Sequence, residues 1–291
     1  MSNTLVGKLT MPKVSTENSK TAAPRPADSR GSILGIWRLG KVIHQGETAE
    51  LAYAQPADAT GSPRWDYVVR RGIGENAIES LRQIQQFTAC AQEVFHPNLI
   101  AVLDASESGT APFLVMPRLD ALTMHEHLNQ QPRKPLPVGL WLVRQVAQAL
   151  EAMHASGWVH GDVKPMNVMV GATGHVTLID LGFAERVHCS PKRLFRGTPE
   201  YAAPETMTDK MVSLPASDIF SLGRILWQWL TRVEAASDLL LSPVAELVET
   251  MISPRPSDRP TAAHVTRQLL RLEIESLGCH IEPDKRRRRA A

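Results

Sequence analysis

One polar stretch, His160-Gly161-Asp162-Val163-Lys164-Pro165-Met166-Asn167, most constrains what this chain can fold into. It follows a long helical pattern and precedes a pair of short apolar runs. Asp180-Leu181-Gly182 comes thirteen residues after Asn167. Two acids and an amide at this spacing, in a loop followed by a strand and a turn, suit phosphoryl transfer from a metal-bound nucleotide. One acid can orient the attacking hydroxyl and take its proton. The amide and the second acid offer oxygen donors to a hard cation.

The rest of the chain divides around that loop. Residues 1–32 are rich in Ser, Thr, Pro, Ala and Lys without periodicity, which predicts a disordered tail. Runs at Trp37–Ile43 and Thr48–Ala54 around Gly46 predict a hairpin, and Trp65–Arg71 a further strand. Asn76–Val94 carries Ile78, Leu81, Ile84, Ala91 and Val94 near helical spacing. Short strands are predicted near Leu99–Asp104 and Phe113–Met116. After Pro117 the pattern turns helical. Val138–Ala155 has Leu140, Val143, Ala147, Leu150 and Met153 on one face, and reads as a buried helix leading into the His160 loop. A hairpin is expected at Val168–Val170 and Val176–Ile179, with helices at Ser217–Leu230, Val244–Ile252 and Thr261–Glu275. Strands first and helices afterwards predict an α+β fold of two lobes with a cleft between them. The expected division is a small lobe over 33–117, a large lobe over 118–278 and a basic tail over 279–291, which ends in Lys285-Arg286-Arg287-Arg288-Arg289.

Composition removes several function classes. With 43% hydrophobic residues the chain can bury a sizeable core, and a net charge of +2 supplies no field that would argue for nucleic acid. No apolar run reaches the length of a membrane span; the longest, around Leu136–Val143 and Leu222–Leu230, are interrupted by Gly139 and by Arg224 with Gln228. The N-terminus lacks the apolar core of a secretory signal. Cys90, Cys189 and Cys279 are odd in number and lack ligand spacing, and read as reduced thiols of a cytoplasmic protein. Cys189 stands among basic residues, where a redox or phosphorylation switch competes with a plain exposed cysteine.

Five further motifs stand in order along the chain: His96-Pro97-Asn98-Leu99-Ile100; Phe113-Leu114-Val115-Met116; Gly197-Thr198-Pro199-Glu200-Tyr201-Ala202-Ala203-Pro204-Glu205; Ser217-Asp218-Ile219-Phe220-Ser221-Leu222-Gly223; and Arg255-Pro256-Ser257-Asp258-Arg259-Pro260-Thr261. With the His160 loop and Asp180, the chain from about Trp37 to Leu272 resembles the serine/threonine protein kinases. The resemblance implies ATP and Mg²⁺ in the cleft and a protein substrate or regulatory protein partner. It implies catalytic roles for Asp162 and Lys164, and metal ligation by Asn167 and Asp180. Gly46, Leu51, Val68, Arg70, Met116, Leu119 and Met169 would line the nucleotide pocket, with Met116 as gatekeeper. Thr198 would tie its segment to Asp162 and Lys164, Glu205 and Arg259 would pair, and Asp218 would brace the loop from below. His160 would be a packing residue.

The small lobe departs from the family. His44, Gly46 and Ala49 stand where three glycines are expected, and added β-carbons restrict a loop that must approach phosphates. Arg70 replaces the phosphate-binding lysine; it keeps the charge on a larger planar fork. No lysine lies between Lys41 and Lys134 to substitute for it. Val68 replaces a small alanine over the adenine. The helix acid that should pair with the lysine falls on Phe87, beside Gln85 and Gln86. Gly161 replaces the arginine that receives activation-segment phosphate. The segment between Leu230 and Arg259 is short, which predicts loss or reduction of a substrate-docking helix. Two readings follow: a serine/threonine kinase, or a pseudokinase acting as a binding or allosteric module. His-Gly-Asp also occurs in small-molecule phosphotransferases, but Lys164-Pro165 and the Gly197–Glu205 segment belong to the protein-kinase pattern.

Overall fold

The computed structural model describes residues 31–46, 48–73, 77–107, 112–130, 133–188, 197–207, 214–233 and 237–281. The disorder expected before residue 31, Cys189 and the arginine run at 286–289 lie outside the described residues. The fold is α+β and two-lobed: one curled antiparallel sheet with a single helix against it, then a helical lobe.

The sheet contains β1 (Ile33–Leu34), β2 (Trp37–Gln45), β3 (Ala49–Pro56), β4 (Tyr67–Gly72), β5 (Asp104–Ser106) and β6 (Phe113–Pro117), in the order β1-β2-β3-β4-β6-β5. Trp37, Leu39, Ala54, Val69, Phe113 and Val115 alternate inward from their strands and form a small core of their own. Register decides what faces the cleft: Leu51 on β3 lies opposite Arg70 on β4, and Val68 on β4 lies opposite Met116 on β6. The strand expected near Leu99–Asp104 begins only at Asp104. Leu99 instead forms a parallel bridge with Leu178 in the other lobe, because the Asn98 amide group is bound to Gln145 and the Val176 carbonyl and carries its neighbours there.

Helix α1 (Ala77–Glu93) crosses behind the sheet. Its buried face keeps Ile84, Ala91 and Val94 of the apolar stripe but not Ile78. Ile78 is 87% exposed, while Ser80, Gln83, Ile84, Phe87, Thr88 and Cys90 are buried. Ser80 and Gln83 on that face have polar partners, described below, whereas the buried Thr88 hydroxyl has no hydrogen-bond partner among the described residues.

The helical lobe is organised around α3 (Leu136–Ala155), which begins two residues earlier than its apolar stripe, at Leu136-Pro137. Proline suits a first helical turn because its missing N–H has no acceptor there. Leu140, Val143, Val146, Ala147, Leu150 and Met153 are completely buried. Helices α4 (Pro215–Leu230) and α6 (Ala262–Ile281) pack on α3, and α5 (Asp238–Met251) packs on both of them. Arg144 Nε donates to Glu273 Oε2 at 2.7 Å and ties α3 to α6. The sequence reading missed the short strand β7 (Ala121–Thr123) and the short helix α2 (Met124–Gln130), and placed the start of α5 six residues late. Between α4 and Arg259 the described residues contain one long helix, α5. No helix of the described residues is long and apolar enough to cross a membrane.

Under the sheet, β8 (Trp158–Val159) pairs with β11 (Glu185–Arg186), and β9 (Val168–Gly171) pairs with β10 (Val176–Leu178) and β7. These short strands hold His160–Asn167 and Asp180 side by side at the mouth of the cleft.

Candidate active site

Asp218, near the start of α4, fixes the backbone of the loop. It is 1% exposed, and its carboxylate accepts from His160 N at 2.8 Å and Gly161 N at 2.9 Å. His154 Nε2 lies 2.9 Å from its Oδ2. Burial alone would raise the Asp218 pKa; the bonds from His154 and from the loop backbone outweigh this and hold it below the usual carboxylate range. His160 is fully buried, with Nε2 3.1 Å from the Ile179 carbonyl and Nδ1 accepting from Asp162 N at 3.3 Å. Nε2 thus ties the loop to the segment that runs from β10 to Asp180, and Nδ1 folds the loop on itself.

Gly161 has φ +79°, and a β-carbon there would lie 2.7 Å from the Phe183 carbonyl oxygen. Any side chain therefore meets both a left-handed backbone and fixed main chain. Gly161→Arg, which would supply the missing phosphate-receiving arginine, is expected to destabilise the fold by about 2 kcal/mol or more. A lowered melting temperature checks this; an unchanged one contradicts the geometry.

Asp162 is 6% exposed and held by three donors. Thr198 Oγ1 donates to Oδ1 at 3.1 Å, Asn167 Nδ2 to Oδ2 at 3.0 Å, and Lys164 Nζ lies 2.7 Å from Oδ2. Lys164 Nζ also donates to Thr198 Oγ1 at 2.7 Å. Asn167 Nδ2 reaches the Asp162 carbonyl at 2.9 Å as well, which leaves its amide oxygen uncommitted to either contact. Asp180 sits in the left-handed region at φ 62°, and its Oδ1 accepts from Gly182 N at 3.3 Å and from Arg70. Burial favours its neutral form, but the Arg70 guanidinium and the Gly182 N–H prevail and keep it below the ordinary range.

A cleft of about 730 Å³ opens between the sheet and this loop. Gly46, Leu51, Val68 and Arg70 line it from the small lobe, and Met116, Leu119 and Met169 from the connection and the floor. Lys164, Asn167 and Asp180 also line it. His44 and Ala49 flank Gly46, whose N–H closes the turn onto the Ala49 carbonyl at 2.8 Å.

The helix residue that meets Arg70 is Gln83, not Phe87. Arg70 Nη2 donates to Gln83 Oε1 at 2.7 Å. Phe87, one turn further along α1, is 1% exposed and packs into the main core at the back of the cleft. Counting nine residues back from His96 stops a turn short of Gln83. The spacing Glu79, Gln83, Phe87, four residues apart on one helix face, carries the missed signal. Sequence reading also missed Arg118, whose guanidinium lies 4.6 Å from the centre of the Tyr53 ring at the lip of the cleft. Helix α1 is further tied to β11: Arg186 pairs with Glu93 and stacks on Trp158, and Arg82 lies 3.4 Å from Glu185.

Below the site, Arg259 Nη1 and Nη2 grip Glu205 at 2.6 and 2.8 Å, and Ser217 Oγ donates to the same carboxylate. Burial would raise the Glu205 pKa, but the bonds from Arg259 and Ser217 win and lower it. The folded-state pKa values of Glu205 and Asp218 both lie below their unfolded values. Each contributes stability that is complete above about pH 4.5 and is lost as pH falls through its folded-state value. The melting temperature is therefore expected to decline on acidification below about pH 4.5, and less steeply in Glu205→Gln; equal slopes would contradict the pairing.

Among the described residues no group of three or more His, Cys, Asp or Glu side chains is placed to hold a metal ion. The two candidate ligands, the Asn167 amide oxygen and the Asp180 carboxylate, are both oxygen donors. This is the set suited to Mg²⁺, which takes one or two protein oxygens and completes its shell with phosphate and water.

Residues 68–239 match the protein kinase domain family. The chain is similar to the serine/threonine-protein kinase PkaA of Streptomyces coelicolor, at 29% identity over 86% of this chain and 49% of that protein. It is 32% identical to the serine/threonine-protein kinase PknA of Mycobacterium tuberculosis, over 63% of this chain and 44% of the relative. Against the serine/threonine-protein kinase AfsK of Streptomyces griseus the identity is 34%, over 54% of this chain and 20% of the relative. The chain thus spans half or less of the length of these relatives.

Proposed function

Because this chain belongs to the protein kinase domain family, we propose that it is a serine/threonine protein kinase, which moves the γ-phosphate of ATP to a hydroxyl of a protein substrate in the cytoplasm. The single observation that carries this reading is the Asp162 carboxylate, held by Thr198, Asn167 and Lys164 beside the cleft.

Asp162 orients the substrate hydroxyl and takes its proton as the oxygen attacks the γ-phosphorus. The bond from that phosphorus to the bridging oxygen breaks, and ADP leaves with the electron pair. Lys164 spans Asp162 and Thr198, so its ammonium is fixed where charge moves onto the transferring group. Asn167 and Asp180 would hold Mg²⁺. When bound, the ion neutralises and orients the phosphate oxygens. Arg70 supplies the positive charge on the small-lobe side, while Leu51, Val68, Met116 and Met169 offer the apolar walls that an adenine ring needs.

No observation favours the non-catalytic alternative, and the relatives' printed names are those of kinases. Phosphate transfer to an added protein, measured with Mg²⁺ and ATP in wild type and in Asp162→Ala, tests the proposal.

A further inference from the structure

We propose that Gln83 is a positioning residue of this cleft: a neutral hub matched to Arg70, which sets helix α1, the turn around Gly46 and Asp180 in register. The inference rests on the kinase reading given above and deepens it.

Three polar contacts meet at this one side chain, which is only 6% exposed. Its Oε1 accepts from Arg70 Nη2 at 2.7 Å and from Thr48 Oγ1 at 3.4 Å. Its Nε2 donates to Glu79 Oε1 at 3.3 Å, which fixes the amide with its oxygen toward Arg70. Ser80, on the same helix, donates to the Thr48 carbonyl and closes the link to the turn. Arg70 extends the network, because its Nη1 binds Asp180.

The choice of a neutral partner follows from the choice of arginine. A guanidinium presents its N–H groups along two Nη arms, and a carboxylate at position 83, with two oxygens, can take both arms as a bidentate pair. An amide oxygen takes one and leaves the other for Asp180. The fork has little room to turn elsewhere: a β-carbon on Gly182 would lie 3.2 Å from Nη1 and 3.4 Å from Nη2. Gln83 is therefore the partner that lets an arginine stand at position 70.

A double-mutant cycle tests this. The Michaelis constants for ATP and for Mg²⁺, and kcat, are measured for wild type, Arg70→Lys, Gln83→Glu and the double variant, with melting temperatures taken without nucleotide. Each single substitution is expected to raise KM for ATP about tenfold, with Mg²⁺ half-saturation rising alongside because Asp180 loses its fixed partner. The double variant, which installs a lysine–glutamate pair, is expected to recover about tenfold relative to the product of the singles. A merely structural Gln83 would shift the melting temperature and leave both Michaelis constants unchanged; that outcome, or an additive cycle, overturns the inference. Should Arg70→Lys fail to fold, Gln83→Met decides: its side chain matches in length but cannot accept from Arg70, and an unchanged KM for ATP overturns the inference. A wild type that transfers phosphate while the cycle is additive removes the Gln83 role alone. A wild type that neither transfers phosphate nor is stabilised by Mg²⁺ and ATP removes the kinase reading with it.

Discussion

Replacing Asp162 with alanine is expected to lower kcat for protein phosphorylation by about a thousandfold, within the range general-base groups supply. KM for ATP is expected to stay within about threefold, because Asp162 touches the hydroxyl side of the reaction and not the nucleotide. The carboxylate accepts from Thr198 and Asn167 and pairs with Lys164, so truncation also releases three donors. Asp162→Asn separates the two effects. It keeps the shape and one oxygen acceptor but cannot take the proton, and its kcat is expected to fall nearly as far as that of the alanine variant. Steady-state kinetics on both variants checks the split. A large KM change with kcat intact would place Asp162 in nucleotide binding instead.

The second large effect is on stability. Asp218→Ala is expected to cost about 3–5 kcal/mol, because it strands the buried N–H of His160, removes the acceptor of the Gly161 N–H and leaves His154 without its carboxylate. In a domain of this size that corresponds to a melting temperature lower by roughly 10 °C. The same change frees the loop carrying Asp162, so kcat is expected to fall with stability. Asp218→Asn, which still offers one oxygen, is expected to lose less of both. Denaturant titration and thermal melting measure the cost; a loss under about 1 kcal/mol would mean that water replaces the carboxylate in the loop.

Much of this arrangement was legible before any coordinates. The His160–Asn167 loop and Asp180 stand out by residue type and spacing, the tie from Thr198 to Asp162 and Lys164 is implied by the family resemblance, and the contacts link those same residues. Helix α3 was readable because it is buried nearly all round and its apolar run is long. Helix α1 is read correctly at Ile84, Ala91 and Val94, which are buried, but not at Ile78 or at the residue that meets Arg70. Its inward face carries Ser80, Gln83 and Thr88, so hydrophobic periodicity gave no weight to the residues that meet the cleft. Only the position of Arg70 on β4 and of Asp180 below it, 110 residues later in the chain, turns Gln83 into a hub. The strand expected at Leu99–Asp104 failed for a related reason. Its first residues bind the other lobe through Asn98 and Leu178, a long-range pairing that a local β pattern cannot distinguish from a sheet edge.

The most direct measurement is incorporation of the γ-phosphate of ATP into an added protein by the purified chain with Mg²⁺, followed by identification of the modified residue, in parallel with Asp162→Ala. The account predicts phosphoserine or phosphothreonine accumulating with time in the wild type and close to none in the variant. Equal incorporation by both proteins, or none by the wild type, would contradict it.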